Sequence, residues 1–583
     1  MTAELLFKQY KAICENVGIH QENSIGSINS CIRDTLRKFM SNHKRVAIYC
    51  NGFHTKMLMT DFVSDIRDVV CVIDNGVEST GKGLPIIKDY EIERYFIDGV
   101  IISTFKHRDE IKNLMTKNHS SIDVLDIYKD LEENNIFLNT EFYGTGPYRI
   151  YADINAINCA IHNKKGNKLI ILRNLLKYYV QIKDFRMSII TAEAIYDISN
   201  DDNDKRLIIE LKEIYDMQIG IIEKTNINNV VMLCLDGIRY NDFSSESMKK
   251  IRTIIKKRGK LFTNAYSYST MTFESLVPAF SENSDQRTEY YKYDEVEADS
   301  CRFVKTAFEQ KRNVYIYGDG FDYISSTAIK HTGNPQTLTE KLWDFIIDIC
   351  NEENGLFYIH ELHESHYSFP NPYTEEKLVA SGTNLLFDFL PKNGGVLQTD
   401  YYKQMNDSLM YIDDTLEPFV QSLSCSMLLF ADHGNLVLKN GSSLKNVNKM
   451  QLTASDELIR IPMAIVSDNI NNGNDDALVS LMDLNDIMIA LLSNRTYKPP
   501  KNRKYIKIGR SAIYNLDFKE LYEIIDVGYG GEAFEGFIFN DGMKLMVYSN
   551  GCKELFGAND TLMNADDELD ARYRMISKEV TVI

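Results

Sequence analysis

The chain has 583 residues and a formal net charge of −18. Because one domain usually has ~100–200 residues, this length predicts at least two hydrophobic cores. Hydrophobic residues make up 44% and charged residues 25% of the chain, which is ordinary globular usage and excludes wholesale disorder. The acidic surface would repel phosphate backbones, so no nucleic-acid partner is expected.

Membrane and secretion signals are missing from the sequence. The longest apolar runs, such as Val230–Leu235 and Ile487–Leu492, are far shorter than the ~20 residues that span a bilayer. The N-terminus has no basic stretch followed by an apolar core, and the ten cysteines are scattered without a C-x-x-C pair. We therefore expect a cytoplasmic protein with no integral membrane segment, or one attached peripherally to a membrane.

The N-terminal part of the chain follows a parallel α/β pattern. Residues 1–43 are predicted to form a helical lead-in. In residues 44–136, short β-branched runs of strand length alternate with amphipathic stretches of helical pattern. The predicted strands are Arg45–Cys50, Val69–Ile73 and Val100–Ser103. Residues 151–224 predict a helical connector, interrupted by a polar loop at Asn200–Asp204.

A second, larger α/β pattern covers residues 226–500, and residues 501–583 are predicted to form a C-terminal subdomain. The strands predicted in the larger unit are Val230–Leu235, Asn313–Tyr317, Leu356–Ile359, Met427–Phe430 and Pro462–Val466. In the subdomain, apolar runs flank Asn540-Asp541-Gly542, and Asp-Gly supplies the positive φ angles of a tight hairpin turn. The predicted fold class is α/β, with two parallel-sheet units and a small C-terminal antiparallel sheet.

Polar residues cluster directly after the predicted strands of the larger unit. Asp236 follows the first strand, Asp432 and His433 follow the fourth, and three histidines follow the third. These histidines are His360, His363 and His366. Ligand sites of open parallel sheets lie outside the carboxyl ends of the strands, so the side chains are expected to converge. Such convergence favours a shared divalent cation, although any one of these residues could instead cap a following helix.

Thr272 is the candidate nucleophile. It is predicted to begin a helix whose free N–H groups and dipole favour a bound anion. A threonine hydroxyl is a poor nucleophile until it loses its proton, and metal coordination promotes that loss. The spacing alone leaves a purely structural N-cap role equally open, with Ser275 nearby.

Four segments resemble, in their order, the alkaline phosphatase/sulfatase superfamily. They are Val-Met-Leu-Cys-Leu-Asp236-Gly, Thr272-Phe-Glu-Ser275, Phe-Tyr-Ile-His-Glu-Leu-His-Glu-Ser-His366-Tyr and Leu-Leu-Phe-Ala-Asp432-His433-Gly-Asn. The pattern is especially similar to the sulfatase-like branch that includes phosphoethanolamine transferases and lipoteichoic acid synthases, and it covers roughly residues 226–560. It implies an alkaline phosphatase-like α/β domain that hydrolyses or transfers esters.

The resemblance also implies roles for individual residues. Thr272 would be the covalent nucleophile and would bind a metal together with Asp236, Asp432 and His433. His366 would contact the transferred group or a second metal. The candidate substrate-binding residues are His360, His363 and Thr270, and Thr270 is also the alternative nucleophile. Zn²⁺ or Mn²⁺ suits the Asp/His ligands, with Mg²⁺ or Ca²⁺ as alternatives.

In the mechanism that the resemblance implies, Thr272 attacks phosphorus, and water or an acceptor hydroxyl then releases the phospho-enzyme. The sequence departs from the family pattern because no histidine follows His433, so a second metal site would need other residues. The C/S-x-P-x-R element of sulfatases proper is replaced by Thr272-Phe-Glu-Ser, which favours phosphoryl over sulfuryl transfer. The expected substrate is a phosphate or sulfate ester, free or linked to a glycan or lipid; a lipid-linked donor would require peripheral access.

Three other functions compete with this one. The first is a sulfatase that uses an unmodified threonine, and the second is a non-catalytic sulfatase-like binding module, which the missing downstream histidine motivates. The third is a zinc protease, whose motif needs two histidines four residues apart on a helix. Because His360, His363 and His366 are spaced by three, the protease is disfavoured.

Residues 44–136 resemble the Rossmann-like domain of sugar-nucleotide-modifying enzymes. The resemblance rests on Val69-Val-Cys-Val-Ile-Asp74-Asn-Gly, Gly81-Lys-Gly-Leu-Pro-Ile-Ile and Asp98-Gly-Val-Ile-Ile-Ser. Asp74 would suit a ribose hydroxyl. The first turn, Asn51-Gly52, lacks the G-x-G-x-x-G element, so a structural or partner-binding role is the alternative. This resemblance is the reason to expect a role in surface-glycan biosynthesis.

Overall fold

The structure is a computed structural model of the full chain. It describes residues 2–19, 25–52, 54–55, 58–59, 62, 65–76, 84–104, 107–133, 147–163, 166–283, 296–318, 323–332, 336–374, 401–437, 450, 453–510 and 533–580. Within residues 25–30, 147–149 and 578–580 only the helical backbone is described.

The chain divides into two compact units. One contains residues 14–149, and the other contains residues 1–13 and 150–583. Helix α1 spans Ala3–Val17. The five predicted segments divide the chain more finely than these two units, and their boundaries stay predictions.

The smaller unit is built on a five-stranded parallel sheet with the strand order β3-β2-β1-β4-β5. Its strands are β1 (Val46–Tyr49), β2 (Val69–Ile73), β3 (Ile86–Ile87), β4 (Gly99–Ile102) and β5 (Asp123–Asp126). Its helices are α2 (Ile25–Met40), α3 (Arg108–Asn118) and α4 (Ile127–Glu133). The central strands are apolar and fully buried, as expected for a parallel sheet covered on both faces. The predicted N-terminal parallel sheet is confirmed, while a nucleotide-binding function stays a prediction.

Four helices open the main part of the larger unit. They are α5 (Pro147–His162), α6 (Lys168–Gln181), α7 (Phe185–Ser199) and α8 (Asp202–Glu223). The loop predicted at Asn200–Asp204 is shorter than expected, because helix α8 already begins at Asp202. The side chain of Asp201 accepts a hydrogen bond from the backbone amide of Asn203. Acidic residues in the first turn stabilise the helix by interacting with the positive end of its dipole.

An eight-stranded sheet forms the centre of this unit, with the strand order β11-β9-β12-β6-β13-β14-β7-β15. Only β14 runs antiparallel to its neighbours. The strands are β6 (Val230–Leu235), β7 (Gly259–Tyr266), β9 (Asn313–Tyr317), β11 (Ile329–Thr332), β12 (Gly355–Glu361), β13 (Ser426–Phe430), β14 (Met463–Val466) and β15 (Gly473–Ser480); the short β8 (Val296–Glu297) and β10 (Ile324–Ser325) pair separately. All five strands predicted from the sequence are present.

Helices between these strands complete the α/β pattern. They are α9 (Tyr240–Phe243), α10 (Lys249–Arg258), α11 (Thr272–Ser281), α12 (Arg302–Glu309), α13 (Leu338–Ile349), α14 (Tyr401–Ser422), α15 (Asp456–Ile459) and α16 (Leu484–Leu492). Among the residues that the structure describes, no helix combines the length and the apolar character needed to cross a membrane.

A small antiparallel sheet follows at the C-terminal end. Its strands, in spatial order, are β16 (Tyr505–Arg510), β17 (Phe534–Phe539), β18 (Lys544–Tyr548) and β19 (Lys553–Phe556), and helix α17 (Asp566–Val580) comes after them. The predicted hairpin is confirmed, since β17 and β18 pair directly across the Asn540–Met543 turn, where Gly542 has a φ of +81°.

Candidate active site

Three adjacent parallel strands bring the predicted site residues to one edge of the central sheet. Strand β6 lies between β12 and β13, and Cys234 of β6 pairs with His360 on one side and Phe430 on the other. Asp236 therefore emerges beside His360, and Asp432 emerges two residues after Phe430 on the neighbouring strand. The convergence expected from the strand ends is present.

Asp236 lies at the centre of this cluster and is fully buried. Its Oδ2 atom is 3.1 Å from Nε2 of His360 and accepts a hydrogen bond from the Thr272 hydroxyl at 3.3 Å. Its Oδ1 atom is 3.6 Å from Nε2 of His433 and 3.8 Å from Nε2 of His366. The two carboxylate oxygens thus face different imidazoles.

Asp432 is fully buried beside Asp236. Its Oδ1 atom accepts a hydrogen bond from the amide of Gly237 at 3.1 Å, and its Oδ2 atom is 3.5 Å from Nε2 of His433. Nδ1 of His433 lies 2.7 Å from the carbonyl oxygen of Gly434. Because a carbonyl can only accept, Nδ1 carries the proton and Nε2 presents its lone pair to the cluster when the ring is neutral.

Thr272 is the first residue of helix α11, and Met271 takes the N-cap position without a side-chain hydrogen bond. Instead of capping the helix, the half-buried Thr272 hydroxyl lies 3.2 Å from Nε2 of His433 as well as 3.3 Å from Asp236. Thr270 lies two residues earlier, in the loop between β7 and α11.

Buried serines brace the loop that carries Thr272, a feature that the sequence interpretation missed. The amide of Ser269 donates to Oγ of Ser275 at 3.3 Å, and that hydroxyl donates back to the carbonyl of Ser269 at 3.1 Å. The hydroxyl of Ser269 donates to Glu274 at 2.9 Å. The only feature of the sequence that could have predicted these contacts is the position of Ser269 and Ser275 on either side of Thr272.

The three candidate histidines take different positions around the cluster. His360 is fully buried against Asp236, whereas His366 is half-buried at the edge of the cluster. Nδ1 of His366 lies 2.9 Å from the carbonyl oxygen of Tyr367, which turns Nε2 towards Asp236. The backbone amide of His363 donates to Oε1 of Glu361 at 2.8 Å. The substrate-binding roles of His360, His363 and Thr270 stay predictions.

Burial and mutual repulsion shape the ionisation of the two carboxyl groups. Burial disfavours charge on Asp236, yet His366, His360 and His433 together hold its pKa well below the ordinary value. Burial and the nearby charge of Asp236 raise the pKa of Asp432. Of the two carboxyl groups, Asp236 is therefore the one that ionises more readily.

The same carboxylates raise the pKa of two imidazoles. Burial opposes protonation of His433, but Asp432 and Asp236 raise its pKa above the ordinary value. For His360, burial is likewise outweighed by its hydrogen bond to Asp236. An added positive charge in the cluster would relieve the repulsion between the Asp236 and Asp432 carboxylates, which raises the pKa of Asp432.

A divalent cation fits this donor set. Oδ1 of Asp236 and Oδ2 of Asp432 are buried and have no hydrogen-bond partner among the described residues, a costly arrangement for ionised oxygens. Two sets of three side chains each bring their donor atoms within 4.8 Å of one another. These are Asp236, His366 and His433, and Asp236, His360 and Asp432. Carboxylate oxygens and imidazole nitrogens suit Zn²⁺ and Mn²⁺.

Comparisons with known proteins find one family model and several distantly similar solved structures. Residues 228–493 match the family model described as Sulfatase. A phosphonate monoester hydrolase from Silicibacter pomeroyi is 12% identical with a TM-score of 0.43, covering 61% of this chain and 94% of that one. The periplasmic domain of the phosphoethanolamine transferase EptC from Campylobacter jejuni is 14% identical with a TM-score of 0.33, covering 47% and 96%. BT4656, solved with its substrate D-glucosamine-2-N,6-O-disulfate, is 12% identical with a TM-score of 0.42, covering 61% and 96%.

The comparison with curated proteins finds no match. The family match alone confirms the sulfatase-like domain predicted from the sequence, and it contains all of the clustered residues from Asp236 to His433. Residues 228–493 of this chain therefore form a domain that matches the Sulfatase family model.

Proposed function

We propose that this domain hydrolyses or transfers phosphate esters, with Thr272 as the covalent nucleophile. The observation that carries the proposal is the position of the Thr272 hydroxyl, which lies 3.3 Å from Oδ2 of Asp236 and 3.2 Å from Nε2 of His433. The sulfatase family acts on phosphate or sulfate esters, so the family match supports the reaction class.

Asp236, Asp432, His433 and Thr272 would hold a divalent metal, for which Zn²⁺ or Mn²⁺ suits the donors. When bound, such a metal lowers the pKa of a coordinated hydroxyl and neutralises charge on the transferred group. The buried carboxylate oxygens without a described hydrogen-bond partner support this assignment.

Asp236 and Thr272 have different roles in the proposed reaction. Asp236 accepts the hydrogen bond of the Thr272 hydroxyl and so orients the nucleophile, whose proton passes to solvent when the hydroxyl ionises. Thr272 then attacks the phosphorus atom and forms a phosphothreonine, and the alkoxide of the substrate leaves. Thr272 begins a ten-residue helix, whose free N–H groups favour the anionic ester.

His366 would act on the substrate side of the centre. It is half-buried at the edge, and its Nε2 faces the cluster while Nδ1 contacts the carbonyl of Tyr367. From there the protonated imidazole can donate a hydrogen bond to the transferred group or a proton to the leaving oxygen. Water or an acceptor hydroxyl then attacks the phosphothreonine and restores Thr272.

The test is turnover of an aryl phosphodiester, an aryl phosphomonoester and an aryl sulfate by the wild-type protein and by Thr272→Ala. We expect kcat to fall by about 10³-fold or more, because the covalent step is lost. Thr270→Ala is the matched comparison and should retain near wild-type kcat, while loss of the predicted substrate-binding role of Thr270 would raise only KM. Undiminished turnover by Thr272→Ala, or loss only in Thr270→Ala, would reject this nucleophile.

Sulfate-ester hydrolysis is the second candidate, and the sulfatase family match favours it. Against it stands the threonine at position 272, where sulfatases proper carry the C/S-x-P-x-R element. The same panel separates the two, because a sulfatase would prefer the aryl sulfate. A glycan-linked or lipid-linked ester remains our proposal for the natural substrate, to be tested with phosphorylated and sulfated oligosaccharides as competitors.

A further inference from the structure

The last two residues of strand β12 point in opposite directions. His360 faces Asp236, with Nε2 at 3.1 Å from Oδ2. Glu361 faces away from this cluster, and its Oε2 atom accepts from Nζ of Lys341 at 3.4 Å. The side chains of Glu361 and Lys341 are both 0% exposed, so an ion pair is buried directly behind the candidate active site.

Glu361 connects two parts of that site through its backbone and its side chain. Its carbonyl oxygen accepts the amide hydrogen of Asp236 at 2.9 Å. Its Oε1 atom accepts the amide hydrogens of His363 and Glu364, both at 2.8 Å, and these residues lead into His366. The hydroxyl of Ser365 closes the turn by donating to the Glu361 carbonyl at 3.0 Å.

We propose that Glu361 is a positioning residue, which sets the placement of Asp236 and His366 while Lys341 stabilises its carboxylate. The inference deepens the proposed function and rests on it, because it explains how two of the proposed functional side chains are held. The two amide contacts require a hydrogen-bond acceptor at position 361. The buried ammonium group of Lys341 accounts for the charge of that acceptor.

The electrostatics agree with this geometry. Burial opposes ionisation of Glu361, but Lys341, followed by Glu364 and His363, lowers its pKa to about 2. The neighbouring Glu364 behaves differently, because burial and the charge of Glu361 raise its pKa well above the ordinary value. Of Glu361 and Glu364, Glu361 is therefore the ionised residue, and its carboxylate accepts the two amide hydrogens.

Two double variants separate positioning from simple stability. Lys341→Met with Glu361→Gln removes both charges but keeps an amide oxygen that can accept the two N–H groups. Lys341→Met with Glu361→Leu removes both charges and the acceptor. Replacing a buried ion pair by neutral groups is often tolerated, whereas Lys341→Met alone strands a buried carboxylate and should lower the melting temperature most.

We expect the glutamine double variant to retain kcat within about threefold and the leucine double variant to lose about 10- to 100-fold, with a smaller change in KM. A second readout does not depend on turnover. In the metal-free protein with ¹⁵N-labelled histidine, the ring resonances of His366 should shift in the leucine variant and stay in place in the glutamine variant.

Equal kcat values and unchanged His366 resonances in both double variants would overturn the proposal. If the wild-type protein turns over no ester but the leucine variant still shifts His366, the proposed function fails while the positioning role is supported. Should the leucine variant not fold, Ser365→Ala provides the second test, since it removes the hydroxyl that holds the Glu361 carbonyl. We then expect a smaller shift of His366 in the same sense, and its absence would overturn the proposal.

Discussion

The amide of Gly237 donates to Oδ1 of Asp432 at 3.1 Å, so the turn after β6 directly fixes a carboxylate that follows β13. Gly237 has a φ of +70°, and the amide of Asn435 packs against it and donates to its carbonyl oxygen at 3.1 Å. A Cβ atom at position 237 would lie 2.2 Å from Nδ2 of Asn435. Glycine is therefore needed both for the backbone conformation and for the close contact.

Gly237→Ala should lower the unfolding free energy by about 2–4 kcal/mol and displace Asp432, because strain and overpacking add. Denaturant unfolding and metal affinity would measure the two effects. Gly551→Ala is the matched control, since Gly551 has a φ of +84° but no atom within 4 Å of its Cβ position. Gly551→Ala should lower the unfolding free energy through backbone strain but leave metal affinity unchanged. Equal losses of metal affinity in the two variants would contradict a role for the contact between Gly237 and Asn435.

His360→Ala should weaken metal binding by about 10- to 100-fold, because the imidazole fixes Oδ2 of Asp236 at 3.1 Å. The measurement is competition with a chelator of known affinity. His363→Ala should leave metal affinity unchanged, since His363 belongs to neither of the two donor sets around Asp236. The reverse ranking of these two variants would contradict the geometry.

Asp413 stabilises the start of helix α10 from another element. Its two oxygens accept the amide hydrogens of Lys250 and Ile251, both at 2.9 Å. Asp413→Ala leaves both amides without this acceptor and should cost about 1–3 kcal/mol in chemical denaturation. Glu417→Ala removes only a partly exposed ion pair with Lys250 and should cost less than about 1 kcal/mol.

His54 should make the smaller unit sensitive to acid. It is buried against the hydroxyl of Tyr128, and burial lowers its pKa from 6.5 to about 4. The unfolded chain therefore takes up a proton as the pH falls below 6.5, while the folded unit does so only near pH 4. Stability is fully present above pH 6.5 and should fall by about 2 kcal/mol between pH 7 and pH 5.

Hydrogen exchange of strands β1 and β4 at pH 7 and pH 5 would measure this loss. His54→Asn should reduce the pH dependence, although it also removes a buried contact. The exposed His107→Asn is the control and should leave the pH dependence as it is in the wild type. An unchanged acid response in His54→Asn would assign it to other groups.

The sequence predicted the parts of the fold that leave a periodic apolar signal. Buried strands such as Val230–Leu235 are continuous apolar runs, and they are present with nearly the predicted ends. Strand β15 was missed because Gly-Asn-Asp-Asp at its start reads as a loop, and only pairing with β7 at the sheet edge makes it a strand. The predicted loop Asn200–Asp204 failed for a related reason, since polar residues also begin helices.

The residues of the candidate site could likewise be predicted only in part. Asp236, Asp432 and Thr272 could be named because strand ends and family order mark them in the chain. The contact between His360 and Asp236 depends on the pairing of β12 with β6, which a single sequence does not encode locally. The buried ion pair of Lys341 and Glu361 could not be predicted from the sequence. Charged residues are usually exposed, and the sequence does not show that these two are partners inside the core.

The central claim is that the carboxylates and imidazoles from Asp236 to His433 hold a divalent cation beside Thr272. Elemental analysis of protein reconstituted with Zn²⁺ or Mn²⁺ and freed of excess metal tests it most directly. We predict about one or more ions per chain for the wild type, loss of most of that metal in Asp432→Asn, and full retention in Asp475→Asn, whose carboxylate binds Lys260 outside the cluster. Metal-free wild-type protein, or equal metal contents in the two variants, would contradict the account.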